Sequence, residues 1–149
     1  MKKLLILGGS GFVGSSIVDS AINKKLLNNK INKIYILSRN KKPKKINNKH
    51  IKITYLRGNI LDVKKLPIVD YVIYCLKNEN IKISNDYFSQ FKKLLKQFKF
   101  KPKILFTSSG AVYGKNSKKR KVLENKIIDI NDLNNFKGYK KEYAKEKLF

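Results

Sequence analysis

Tryptophan is absent from this chain of 149 residues; cysteine, methionine and histidine occur once each, and proline three times. The single cysteine, Cys75, excludes an internal disulfide, suits a reducing cytoplasm and reads most simply as a buried strand residue. No cluster of Cys and His offers metal-ligand spacing. The lone His50 lies beside a predicted strand start and reads as solvated, while Asp129 and Asp132 read as turn or cap residues in a polar stretch. No apolar run approaches the roughly eighteen residues of a membrane span. Lys2 and Lys3 do precede an apolar run, but glycines cut it after about four residues, too short for a secretion signal.

Acidic residues are the most consequential shortage. Ten of them face 35 Lys and Arg, leaving a net charge of +25. Such a charge is compatible with a nucleic-acid-binding surface. The basic residues, however, are nearly all lysine, scattered and mixed with asparagine and isoleucine, the residues that an AT-rich coding sequence supplies. Only Arg39, Arg57 and Arg120 are arginines, although phosphate and base readout favours Arg. Biased composition is the simpler account. Nucleic-acid binding stays the lesser alternative, expected to be strongly salt-dependent and unaffected by substitution at Gly11.

What is present starts at Leu4–Gly14, LLILGGSGFVG. A short apolar run without helical spacing, stopped by glycine, reads as a strand buried on both faces. Val13, Ile17 and Ala21, thickened by Val18 and Ile22, give the stripe of a following helix. Strand, glycine turn and helix together make an anion site: free backbone N–H groups and the helix dipole favour a diphosphate. A Cβ at Gly9 or Gly11 is expected to keep phosphates away, and one at Gly14 to push the helix off its strand.

Further strands are predicted at Lys33–Leu37, Ile51–Leu56, Tyr71–Cys75 and Lys103–Phe106. A helix is predicted over Phe88–Phe98, from apolar positions 88, 91, 94, 95 and 98, and stopped by Pro102. Tyr139–Phe149 holds strong helix formers. Asn40–Lys49 is a lysine-rich loop, and Gly114–Asn135 is polar and irregular. Strands separated by helices or long crossovers imply an α/β fold, a parallel sheet with helices on both faces, in one domain over 1–149.

Three motifs carry a resemblance. Gly8–Gly14 (GGSGFVG) has G-x-x-G-x-x-G spacing, Phe106–Gly114 reads FTSSGAVYG, and Tyr143–Lys147 (YAKEK) fits Y-x-x-x-K. In this order they resemble the extended short-chain dehydrogenase/reductases, the NAD-dependent epimerase/dehydratase family. The resemblance implies a Rossmann-like doubly wound sheet of about five strands. It implies that Gly8, Gly11 and Gly14, with the backbone of Phe12 and Val13, lie along the cofactor diphosphate. Ser109 would hold the reacting oxygen of the substrate, Tyr143 would be the acid/base, and Lys147 its partner, also binding the nicotinamide ribose. Asn59 and Ile60 stand where the family reads G-D-(I/L), so that Asn59 would meet the adenine edge. The substrate would be a small molecule, by family a nucleotide sugar, and relatives often pair through the helices at Phe88–Phe98 and Tyr139 onward.

The tyrosine and lysine can be weighed without the family. Four residues apart on a helix, they share a face. A free tyrosine titrates near 10, and bringing it to about 7 requires on the order of 4 kcal/mol in favour of the phenolate. One ammonium about 4 Å away, at an effective dielectric near 20, supplies roughly that much. After the second strand the residues are Ser38-Arg39-Asn40-Lys41-Lys42, with no acid for a ribose 2′-hydroxyl. Arg39 can fork onto a 2′-phosphate. NADP is therefore the expected cofactor, with NAD the alternative.

Three departures stand beside the match. Cys75-Leu76-Lys77 occupies a place where the family prefers small residues and is expected to crowd the nicotinamide ribose. The position of the family's asparagine in the next helix falls near Tyr87, with Asn85 two residues earlier. Only Leu148 and Phe149 follow Lys147, where relatives continue into a substrate-holding part. The expectation is therefore the N-terminal, cofactor-binding portion of such an enzyme, or else a dinucleotide-binding module without catalysis.

Overall fold

The computed structural model describes residues 2–23, 31–39, 51–78, 80–109 and 144. In β1 (Lys2–Leu7), side-chain alternation sends Leu4 and Ile6 to one face and Leu5 and Leu7 to the other, and all four are buried. That is why the run shows no polar alternation: water reaches neither face. Helix α1 (Phe12–Ile22) covers the first face, packing Val18, Ala21 and Ile22 with Leu4, Ile6, Ile34 and Ile36. Helix α2 (Ile81–Leu95) covers the second, bringing Tyr87, Phe91 and Leu94 against Leu5, Leu7, Val72 and Tyr74.

The remaining strands are β2 (Ile31–Ser38), β3 (Lys52–Arg57), β4 (Tyr71–Tyr74) and β5 (Lys103–Phe106), in the order β3-β2-β1-β4-β5. Every pairing is parallel. The chain runs outward from β1 through β2 to β3, then returns to β4 on the other side of β1. The Rossmann-like α/β fold expected from the sequence is the fold observed. Its order reverses between β1 and β4, the point at which such sheets open a crevice at their carboxyl ends.

Boundaries differ for local reasons. Strand β2 starts two residues before Lys33, and β3 lies one residue later than expected. Strand β4 stops at Tyr74, although the Cys75 N–H still donates to the Leu7 carbonyl at 2.9 Å. Helix α2 begins at Ile81 rather than Phe88, because Asn80 caps it: Asn80 Oδ1 accepts from the Lys82 N–H at 3.0 Å. Its first turns carry exposed Lys82, Asn85 and Asp86, which hide the apolar spacing. The helix ends at Leu95, three residues short of Phe98, which is nonetheless buried.

Two devices fix the sheet's ends. At the carboxyl end Tyr74 stacks on Phe106, with ring centroids 5.1 Å apart, and meets Phe91 and Phe88 of α2. At the amino end Asp70 receives the Lys2 ammonium and the Lys3 N–H, each at 2.8 Å. The Asn40–Lys49 loop, the Gly114–Asn135 region and the Tyr139–Phe149 helix predicted from sequence lie outside the described residues, apart from Ala144, which is helical and buried. Among the described residues no helix is long and apolar enough to cross a membrane.

Candidate dinucleotide site

All five strands deliver residues to one cleft of about 400 Å³ at their carboxyl ends. Strand β1 contributes Gly8 through the turn into α1, β2 contributes Ser38 and Arg39, and β3 leads to Asn59 and Ile60. Cys75, Leu76 and Lys77 follow β4, and Thr107 and Ser108 follow β5.

The floor is the glycine turn. Gly8 has φ +84°, a left-handed conformation that costs a side chain dearly, and a Cβ there would also stand 2.9 Å from the Cys75 carbonyl oxygen. Gly14 has no room: a Cβ would fall onto the Gly8 carbonyl oxygen and 2.9 Å from its carbon. The sequence leads one to expect the helix pressed on its strand; the close contact is with the turn that follows the strand. Gly9 is needed for a different reason than expected. It is buried, and its Cβ would collide with Ile36 Cγ2 of β2, so it makes room for the core rather than for a phosphate. At Gly11 a Cβ would meet only the Gly8 oxygen at 3.4 Å, so this position opens toward the cleft.

The turn amides themselves are engaged. Gly8 and Gly9 both donate to the Leu37 carbonyl, at 2.9 and 3.3 Å, and Gly11 donates to Gly8 at 3.0 Å. The donors suited to an anion are those of the first helical turn, at Phe12 and Val13. No side chain caps them, and no acid lies in that turn. The hydroxyls of Ser15 and Ser16 turn back onto the Phe12 carbonyl instead. Phe12 is 92% exposed at the cleft mouth, and Val13 is exposed beside it.

The strands beside β1 bring polar and basic groups to the cleft. Arg39 Nη1 donates to the Tyr87 hydroxyl at 3.3 Å, and Asn78 Nδ2 donates to the same oxygen at 3.3 Å. Asn59 Oδ1 caps the 3₁₀ turn Ile60–Asp62 by accepting from the Leu61 N–H at 3.2 Å, which leaves its amide NH2 as a donor. The described lining contains Arg39 and Lys77 and no carboxylate. Uncapped amides after the central strand, with cationic residues after the strands on either side of it, suit a ligand that carries anionic groups. Among the described residues no three of His, Cys, Asp and Glu gather as a metal would need.

Gly8, Gly11, Phe12, Val13, Arg39, Asn59 and Ile60 thus border one cleft, with Gly14 packed beneath it. Ser109 is half-buried one residue beyond the lining, where Thr107 and Ser108 stand. Thr107 is held by two hydrogen bonds to the Tyr74 carbonyl, from its N–H at 3.1 Å and its hydroxyl at 3.0 Å. Tyr143 and Lys147 lie outside the described residues. Tyr87, which lines the cleft, and Asn78, which bonds its hydroxyl, were missed. The available signal was a hydroxyl at position 87, one helical turn before Phe91 on the buried face.

A family model described as the NAD dependent epimerase/dehydratase family matches residues 4–147. No curated protein is similar enough to this chain to match it. Among solved structures, vestitone reductase from alfalfa (Medicago sativa L.) is similar at TM-score 0.65 and 21% identity, covering 99% of this chain and 49% of its own. A protein assigned as an epimerase in Burkholderia cenocepacia J2315 is similar at TM-score 0.64 and 16% identity, with 99% and 47% covered. One assigned as an NADH-flavin reductase in Streptococcus pneumoniae TIGR4 follows at TM-score 0.61 and 18% identity, with 99% and 62% covered. At these identities the likeness is one of fold. The chain spans between 47% and 62% of the length of these three proteins.

Proposed function

Since the chain belongs to the NAD-dependent epimerase/dehydratase family, we propose that its cleft binds a nicotinamide dinucleotide, NADP in preference to NAD. We further propose that the whole protein is an oxidoreductase, epimerase or dehydratase acting on a nucleotide sugar. The observation that carries this reading is the convergence of five strand ends on a cleft whose described lining holds no carboxylate, at the uncapped start of α1. The diphosphate would rest on the amides of Phe12 and Val13, with Gly11 leaving the approach open. Asn59 would meet the adenine, and Arg39 the 2′-phosphate.

Bound there, a nicotinamide ring supplies hydride chemistry. In this reading Ser109 hydrogen-bonds the reacting oxygen, Tyr143 gives or takes its proton, and Lys147 favours the phenolate and holds a ribose hydroxyl.

Thermal unfolding of the 149-residue chain with NADPH and with NADH tests the binding. A ligand at a hundred times its dissociation constant stabilises by about 2.7 kcal/mol, several degrees for a domain of this size. The expected result is a larger rise with NADPH than with NADH. A cooperative transition that neither cofactor moves would refute the reading. Binding without any turnover that Tyr143→Phe can remove would leave a dinucleotide-binding module instead of a catalyst.

A further inference from the structure

Tyr87 is only 3% exposed, and its ring belongs to the core cluster with Leu5, Leu7, Phe91 and Leu94. Tyr87 also lines the cleft, where its hydroxyl meets Arg39 and Asn78. There it accepts two hydrogen bonds, from Arg39 Nη1 and from Asn78 Nδ2, both at 3.3 Å. A phenolic oxygen has two acceptor positions and one proton. With both acceptor positions engaged, its orientation is fixed.

Asn78 is itself immobilised. Its N–H donates to Ser84 Oγ at 2.9 Å, and the Ser84 hydroxyl donates back to the Asn78 carbonyl at 3.1 Å. Asn78 Oδ1 accepts from the Asn80 N–H at 2.9 Å, which turns the amide nitrogen toward Tyr87. A chain of contacts therefore runs from the capped start of α2 through Asn78 and Tyr87 to the guanidinium of Arg39.

Arg39 is exposed. A free arginine side chain carries rotamer entropy that it must surrender when it grips an anion. Tied to a buried tyrosine, it has surrendered part of that before the ligand arrives, and such preorganisation appears as affinity. Nη1 supplies the tie with one N–H, leaving four of the five guanidinium donors for the anion.

We propose that Tyr87 is a positioning residue for Arg39, and that through it the buried face of α2 sets the preference for a 2′-phosphorylated dinucleotide. The proposal rests on the reading that Arg39 meets the 2′-phosphate, and the two can fail separately. The experiment is equilibrium binding of NADPH and NADH to the full chain carrying Arg39→Ala, Tyr87→Phe or both substitutions.

Arg39→Ala is expected to collapse the NADPH:NADH affinity ratio. Tyr87→Phe removes one oxygen from a buried ring and is expected to lower that ratio about 5-fold, with NADH affinity unchanged. In the double variant Tyr87→Phe adds nothing further, because its effect passes through Arg39. If Arg39→Ala leaves the ratio intact, the NADP reading fails and this proposal with it. If Arg39→Ala collapses the ratio while Tyr87→Phe leaves it unchanged, or weakens both cofactors equally, only the positioning role is overturned. Should Tyr87→Phe not fold, Asn78→Ala carries the test, since it removes the other leg of the anchor. A lowered ratio with NADH unchanged supports the role, and an unchanged ratio refutes it.

Discussion

A methyl group added at Gly14 would fall onto the Gly8 carbonyl, whereas one added at Gly11 meets nothing nearer than 3.4 Å. The two glycines stand three residues apart in one motif, yet they answer to different demands. Gly14→Ala must separate α1 from its turn, an overpacking cost of about 1–3 kcal/mol, and it is expected to lower the melting temperature without ligand. Gly11→Ala is expected to leave the unliganded melting temperature within a degree or so of the parent while reducing the shift produced by NADPH. Melting curves of both variants, each with and without cofactor, check the contrast. Equal destabilisation of the two would contradict it. The motif was legible in the sequence because strand, turn and helix are contiguous there. The division of labour within it was not: Gly9 is set by Ile36, 27 positions away, and only the pairing of β1 with β2 brings them together.

Elements show the same limit. Strand β1 announces itself, since four successive apolar residues bounded by glycine have few other uses. Helix α2 shows its core-facing half but not its beginning, which depends on the Asn80 cap and a polar first turn. The amino end of the sheet depends on one carboxylate, that of Asp70. Asp70 bonds the side chain of Lys2 and the backbone of Lys3, while its own N–H and C=O pair with Lys3 and Lys103, so it joins β1, β4 and β5. The Lys2 ammonium first, and the Lys3 N–H second, hold the Asp70 carboxyl below the usual carboxylate range. A carboxyl depressed in the folded state stabilises at pH values above its unfolded pKa, and that contribution disappears as pH falls through the folded value. Lys2 is raised by the same partner, so its share persists until alkaline pH passes its folded value. Asp70→Asn is therefore expected to lower the melting temperature slightly at neutral pH, the pair being exposed. The difference from the parent should close below about pH 4. A difference that stays constant down to pH 2 would mean that the carboxylate charge is not what holds the three strands.

For the whole molecule, the decisive quantity is the charge of +25, and it bears on both readings of the chain. The resemblance to the epimerase/dehydratase family was legible because its motifs are short and ordered along the chain. The link of Arg39 to Tyr87 was not, because it joins positions 48 apart across the cleft. Net charge needs no such assembly. A domain of this length has a radius of gyration near 15 Å, so at about 0.01 M salt the screening length of roughly 30 Å spans it, and at about 0.15 M the roughly 8 Å length does not. Lysines scattered over the chain then repel one another only at low salt, and among the described residues one ion pair, Lys2–Asp70, offsets them. The melting temperature is accordingly expected to rise by a few degrees between those salt concentrations, the opposite of a fold held by surface ion pairs. The same titration separates cofactor from polyanion. Duplex DNA held by many lysines loses affinity by orders of magnitude over a comparable range, because each phosphate contact releases a counterion. A dinucleotide offers only a few phosphate charges and lies partly on backbone amides, so its salt dependence is shallow. Gly11→Ala should weaken the dinucleotide and leave any DNA binding untouched. DNA binding that remains tight at about 0.15 M salt, alongside a melting temperature indifferent to NADPH, would assign the charge to nucleic acid and displace the enzyme reading.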